Sequence, residues 1–282
     1  MNPGSSKPRI DSVVVDCHTH LSTYGRQGET FARIRDHLLC SMRAYGAAHS
    51  LVLPDSEFGT CVSDLDTTLD LARDRPNLSV LGTACIPTLD GGMVAKLDSL
   101  AAAGRIVGVK LYPGFEEFYP NDEVCLPIYE VCLTHNMPVL FHAGETMDEP
   151  WRDRYNRPER VAELAERLPD LKVIIAHFCQ PHIAVCRDAL LTHPNLHADI
   201  SGMAHPSVVD RCGREEIAGV LLEVASSDPG KLLFGTDWPL CDVGDHLGLV
   251  DSLPIPRADK SMILSGNALR LFPLKLAPGT TV

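Results

Sequence analysis

The chain has 282 residues, of which 45% are hydrophobic and 22% charged, and its formal net charge is −12. That length can fill one large α/β domain, and the apolar and charged shares are those of a globular protein. The acidic balance excludes a nonspecific nucleic-acid binder, and no run approaches the roughly 18 consecutive apolar residues of a membrane span, so neither partner is expected.

The first residues, Met1-Asn2-Pro3-Gly4-Ser5-Ser6-Lys7-Pro8, are polar. They lack the apolar stretch of a signal peptide, and residues 1–9 are expected to form a flexible tail. Ten cysteines are scattered along the chain with no C-x-x-C pair. Without a secretion signal they read as reduced packing residues of a cytoplasmic protein, Cys17 and Cys179 beside histidines included.

Val13-Val14-Val15-Asp16-Cys17-His18-Thr19-His20 reads as a buried strand that ends in two histidines. Strand side chains alternate, so His18 and His20 share one face and form half of a metal site. Asp16, deeper on that face, is expected to support the site rather than ligate. Further apolar runs follow at Ser50–Leu53, Leu78–Ala84, Ile106–Leu111, Pro138–Phe141, Lys172–Ala176, Leu196–Ile200 and Leu232–Phe234. Runs this apolar suit parallel strands buried on both faces. Between them the period becomes helical: Val161, Leu164, Ala165 and Leu168 fall at i, i+3, i+4, i+7, as do Ile217, Val220, Leu221 and Val224. Pro169 and the Asp228-Pro229-Gly230 turn stop these helices before the next strand.

Eight strands alternating with helices predict a (β/α)₈ TIM barrel in a single domain over residues 1–282. An open doubly wound sheet would normally carry a glycine-rich loop after its first strand, where this chain has His-Thr-His. In a barrel the chemistry gathers at the C-terminal strand ends. Here those ends hold His18 and His20, then Asp55, Pro87, Lys110, His142, His177, Ser201 and Asp237. His37, His49, His135 and His193 fall elsewhere and read as surface or packing residues.

These residues bring out a resemblance to the amidohydrolase superfamily, in its amidohydrolase-2 (aminocarboxymuconate-semialdehyde-decarboxylase-like) branch. It rests on Asp16-Cys17-His18-Thr19-His20, Gly108-Val109-Lys110-Leu111-Tyr112-Pro113, Phe141-His142-Ala143-Gly144, Ile175-Ala176-His177, Leu233-Phe234-Gly235-Thr236-Asp237-Trp238-Pro239 and Gly266-Asn267-Ala268-Leu269-Arg270-Leu271-Phe272, in that order. The resemblance implies a distorted metal-dependent-hydrolase barrel. Carried over, it implies metal ligands His18, His20, His142 and Asp237, with His177 catalytic near the metal, and a homodimer. Imidazoles with one carboxylate suit one divalent ion, zinc above others, with a position left open for water. Bound water would then be acidified, with Asp237 taking its proton and His177 acting as acid or base.

Lys110 is ambiguous. In some superfamily members a fourth-strand lysine is carboxylated and bridges two metals, whereas in a one-metal site Lys110 would contact substrate. Specificity is expected from the strand-end loops, and residues 145–157 suit a lid or pocket wall. Trp151 and Arg152 in that loop, Arg26 after the first strand, and Tyr112 are candidate substrate contacts. Arginines would suit a carboxylate-bearing small molecule. The expected activity is metal-dependent hydrolysis of an amide, lactone or related C–N or C–O bond. The alternatives are non-oxidative decarboxylation of an unsaturated or aromatic acid and a non-catalytic barrel scaffold.

Overall fold

The computed structural model describes residues 12–57, 59–146 and 150–276, so the expected tail and residues 147–149 of the proposed lid lie outside the described residues. Nine strand segments are present: β1 Val14–Thr19, β2 Ala47–Val52, β3 Leu78–Val80, β4 Gly82–Thr83, β5 Val109–Leu111, β6 Val139–Phe141, β7 Val173–Ile175, β8 Leu196–Asp199 and β9 Leu232–Leu233. The helices between them are α1 Phe31–Tyr45, α2 Leu65–Ala72, α3 Gly91–Ala102, α4 Leu126–Thr134, α5 Pro158–Arg167, α6 Ile183–Thr192, α7 Pro206–Cys212, α8 Arg214–Ser227 and α9 Val243–Ser252. None of the described helices is long and apolar enough to cross a membrane.

Every strand pair is parallel, in the orders β1-β2-β3 and β4-β5-β6-β7-β8-β9. The expected third strand, Leu78–Ala84, breaks in two because its hydrogen-bond partners change along its length. Leu81 N–H still donates to Val52 of β2 at 3.1 Å, whereas Gly82 N–H donates to Gly108 at 2.8 Å, on the β5 side. β3 and β4 therefore occupy one position of the ring. Beyond β9, Cys17 N–H donates to Phe234 at 2.9 Å, His20 N–H to Trp238 at 2.7 Å, and Asp237 N–H to His18 at 2.8 Å. These bonds return the ladder to β1 and produce a distorted eight-position (β/α)₈ barrel.

The two faces of the strands pack into different cores. Val15, Cys17, Leu51, Leu53, Leu81, Leu140, Ile174 and Leu233 fill the interior, closed by Ala268, Leu271 and Phe272 of the C-terminal helical run. Val14, Val109, Val139, Phe141, Val173 and Ile175 instead meet the helices. Each such side chain stabilises the fold by about 1.5–3 kcal/mol when fully buried. The expected stripes are the ones used: Val161, Leu164 and Ala165 are buried on α5, and Ile217, Val220, Leu221 and Val224 on α8. All ten cysteines are free, and burial pushes the Cys17 and Cys179 thiols well above their ordinary range, which suits packing rather than reactivity.

β1 does not keep strict alternation. Asp16 pairs with Ser50 and Thr19 with Val52, so the register slips within Cys17–His18. Cys17 keeps alternation with Val15 and packs in the interior, whereas His18, at the slip, aims its ring at Asp199 of β8. A bulge of this kind re-aims side chains beside a site.

Candidate metal centre

The C-terminal strand ends converge on one cavity of about 600 Å³. Just past β1, His20 is held by a hydrogen bond between Nδ1 and the Leu53 carbonyl at 2.8 Å. A carbonyl only accepts, so His20 carries its proton on Nδ1 and turns an Nε2 lone pair towards the cavity. His18 is fully buried, with Nδ1 on Asp199 at 2.8 Å and an Nε2 that has no partner among the described residues.

Asp237, just past β9, completes the group. Its Oδ1 lies 3.3 Å from His20 Nε2 and 3.8 Å from His18 Nε2. Two lone-pair atoms and a carboxylate oxygen this close repel unless a proton or cation sits among them. Burial alone would raise the Asp237 carboxyl, but the close imidazoles of His20, His177 and His18 hold it well below the usual range, so it stays ionised. Asp237 adopts φ +68°, and His177, Phe178 and Cys179 adopt +57°, +46° and +51°. Left-handed backbone at non-glycine residues costs on the order of 1–3 kcal/mol each and gathers at functional sites.

His142 follows β6 and His177 follows β7. Their rings lie 5.1 Å apart, and the His177 ring is 4.6 Å from that of His18. Burial lowers the pKa of all three: His18 to about 3, His142 well below its ordinary value, and His177 in the same direction. All three are therefore neutral near pH 7, as metal ligands and proton acceptors must be. The ligand atoms of His18, His20 and Asp237 lie within 4.8 Å of one another, and His142 stands outside that group with its Nε2 buried and unpartnered among the described residues. A second such group, His18, His177 and Asp199, is already joined by hydrogen bonds.

Lys110, fully buried on β5, has an Nζ without a hydrogen-bond partner among the described residues, 5.1 Å from the Tyr112 ring centroid. Burial lowers its pKa to about 8, against the opposing pull of Asp199 and Asp237. Asp16 accepts from Thr236 Oγ1 at 2.6 Å, Thr236 N at 3.0 Å and His18 N at 3.2 Å, tying the first strand to the last. Burial raises its pKa to about 7 against those donors.

The cavity wall brings in Lys110, Tyr112, His142, His177 and Asp237 from the sequence reading, but neither Arg26 nor Trp151. Arg26 is exposed, and Trp151 packs against Tyr155 and the Arg152 and Arg154 guanidinium groups. Arg152 acts at one remove: it donates to the Phe115 carbonyl at 2.8 Å and pairs with Glu117, holding the Phe115 loop. Phe115, in the aromatic loop Tyr112–Tyr119 from which the sequence reading expected substrate contacts, lines the wall with its ring 4.6 Å from His142, and two exposed side chains that sequence reasoning passed over, Tyr24 and Leu240, line it too. So does Arg211 of α7, paired with Glu145 and donating to Gln180 at 3.1 Å. Asp199 was legible in principle: two residues before Ser201, alternation places it on the same face.

A parallel barrel with histidines and an aspartate at its mouth is the architecture of enzymes that work at strand ends. The chain belongs to the amidohydrolase family, in its amidohydrolase-2 branch, whose model matches residues 15–274. It is 27% identical over 198 residues to the rice mitochondrial dihydroorotase, covering 63% of this chain and 45% of that protein. It is 25% identical over 169 residues to an L-fucono-1,5-lactonase of Burkholderia ambifaria, covering 55% and 53%. The chain thus spans about half the length of these curated relatives.

Solved structures share the fold. A TIM-barrel protein of Bordetella bronchiseptica has a TM-score of 0.71 at 19% identity, covering 92% of this chain and 97% of its own. A zinc-bound amidohydrolase of Burkholderia multivorans scores 0.68 at 17%, covering 94% and 100%. A 5-carboxyvanillate decarboxylase of Sphingomonas paucimobilis scores 0.67 at 14%, also covering 94% and 100%. The family is metal-dependent and made of enzymes acting on small molecules.

Proposed function

We propose that this enzyme is a metal-dependent hydrolase of a small-molecule amide, lactone or related C–N or C–O bond. The observation that carries the reading is the open group of His18 Nε2, His20 Nε2 and Asp237 Oδ1, three acceptors facing one another without a proton donor among them. Two imidazoles and one carboxylate suit zinc, and His142 Nε2, buried and unpartnered on the same wall, is a further candidate ligand. One ion is the better fit, since Lys110 has a neutral role available as a substrate contact. A divalent ion bound there would acidify water and polarise a carbonyl.

The chain's own groups do the rest. Asp237, held ionised, accepts the proton of the water that attacks the carbonyl. His177, buried beside it, exchanges a proton with the leaving group. Lys110 at the base and Arg211 at the rim are the lysine and arginine among the described lining residues. Together with Tyr24, Phe115 and Leu240 they suit a carboxylate-bearing substrate with an apolar body. The lactonase relative supports hydrolysis over decarboxylation.

A panel of lactones, cyclic amides and aromatic or enoic acids, followed for ring opening and for carbon dioxide, tests the reading. Ring opening is expected; carbon dioxide release without it would overturn the proposal in favour of decarboxylation.

A further inference from the structure

Asp199, the last residue of β8, is fully buried and surrounded by donors. Its Oδ1 accepts from the backbone N–H of His177 at 3.0 Å and of Ser201 at 3.0 Å, and from Ser201 Oγ at 2.5 Å. Its Oδ2 meets His18 Nδ1 at 2.8 Å. With Oδ1 taken by three donors and Oδ2 facing only the His18 ring, Asp199 is the acceptor of the cluster, so the Ser201 hydroxyl proton and the His18 Nδ1 proton both point at it.

That leaves Ser201 Oγ with lone pairs alone. Its 2.8 Å contact with His177 Nδ1 therefore has the imidazole as donor, and its 3.1 Å contact with His18 Nδ1 runs the same way. We infer that one buried carboxylate sets the tautomers of two histidines, His18 directly and His177 through Ser201, so that both carry their proton on Nδ1. Asp199 and Ser201 are positioning residues: neither faces the cavity, and each acts by deciding where another side chain presents its lone pair.

The consequence for His177 rests on the proposed hydrolytic reading. A neutral His177 protonated on Nδ1 can only accept at Nε2. It therefore enters the reaction as a base: the proton that Asp237 takes from water passes to His177 Nε2, giving imidazolium, before it goes to the departing oxygen or nitrogen. The Nδ1–H stays on Ser201, and the Asp199 charge lies one hydroxyl away to stabilise the cation. Donation to a leaving group follows only after that uptake.

The assignment itself needs no metal or substrate, so it can fail independently of the hydrolase proposal. Full-length protein with ¹⁵N-labelled histidine, stripped by chelator and held at pH 8, would be read by ring ¹⁵N–¹H correlation. Signals are assigned with His18→Gln and His177→Gln. In the unsubstituted protein both rings are expected as the Nδ1–H tautomer. Ser201→Ala should lower the His177 Nδ1–H to Nε2–H ratio about tenfold, the effect of losing one buried hydrogen bond, and leave His18 unchanged; Ser201→Thr should restore it.

Asp199→Asn should do the reverse. The two backbone donors keep the amide oxygen where Oδ1 was, so the amide nitrogen turns to His18 and drives it to Nε2–H. An unsubstituted protein with His177 protonated on Nε2, or a Ser201→Ala protein with an unmoved His177, would overturn the inference. The unsubstituted spectrum decides the matter even if Asp199→Asn does not fold.

Discussion

His20 Nε2 and Asp237 Oδ1 face each other at 3.3 Å across the mouth of the barrel, one just beyond the first strand and one beyond the last. They meet because the hydrogen bonds that close the ring, His20 to Trp238 and Asp237 to His18, run between the same two segments. Removing either side chain should weaken metal affinity by at least the 10–100-fold typical of groups that only support a ligand. Competition against a zinc chelator measures it, and undiminished affinity in His20→Ala would take His20 out of the centre.

Close approach behind the ligands makes Gly235 intolerant. A Cβ there would lie 3.0 Å from the His18 Cβ, 3.4 Å from that of Ser201 and 3.5 Å from that of Asp199. Gly235→Ala should destabilise the fold by about 1–3 kcal/mol, the range for an overpacked core, and push His18 out of line. Denaturant unfolding with zinc titration would show both losses; a variant as stable as the parent would mean that the strand ends are looser than described.

The arginine on the cavity wall is a specificity residue rather than a stability residue. Its pair with Glu145 is half-exposed, so Arg211→Gln should change stability by less than ~1 kcal/mol. For a carboxylate-bearing substrate KM should rise about tenfold with kcat little changed, the signature of lost uniform binding. An unchanged KM would place the substrate carboxylate elsewhere.

Much of this arrangement was legible in the chain, for physical reasons that also show where legibility ends. Strand runs such as Pro138–Phe141 are apolar because both faces are covered, and histidines directly after such runs must lie at a rim. What fails is what depends on partners far away in sequence. The break at Leu81 follows from a change of neighbour, from Val52 to Gly108, which no local pattern records. The slip in β1 turns His18 to the site, although alternation from Val14 would put it against the helices. Arg211 sits on a helix with an ordinary surface pattern and reaches the cavity only because α7 follows β8, whereas Arg26, closer in sequence to the first histidines, points elsewhere.

Acid sensitivity should come in part from His49, which sits in β2 away from the centre. Its Nε2 bonds Ser79 at 2.9 Å, and burial lowers its pKa to about 4, against about 6.5 in an unfolded chain. Between those values the unfolded chain binds more protons. The stability due to neutral His49 is therefore complete above about pH 6.5 and lost as pH falls towards 4, up to about 3 kcal/mol. His49→Gln should lose less Tm than the parent between pH 8 and pH 5; equal losses would contradict this.

The central claim is a single metal ion held by His18, His20 and Asp237. Chelator-stripped protein, titrated with zinc in the presence of bicarbonate and assayed for bound metal per chain, tests it most directly. One equivalent should bind, and none of comparable affinity to Asp237→Asn protein whose circular dichroism is unchanged. Two equivalents would contradict the one-metal reading, and zinc bound equally by the Asp237→Asn chain would contradict the site itself.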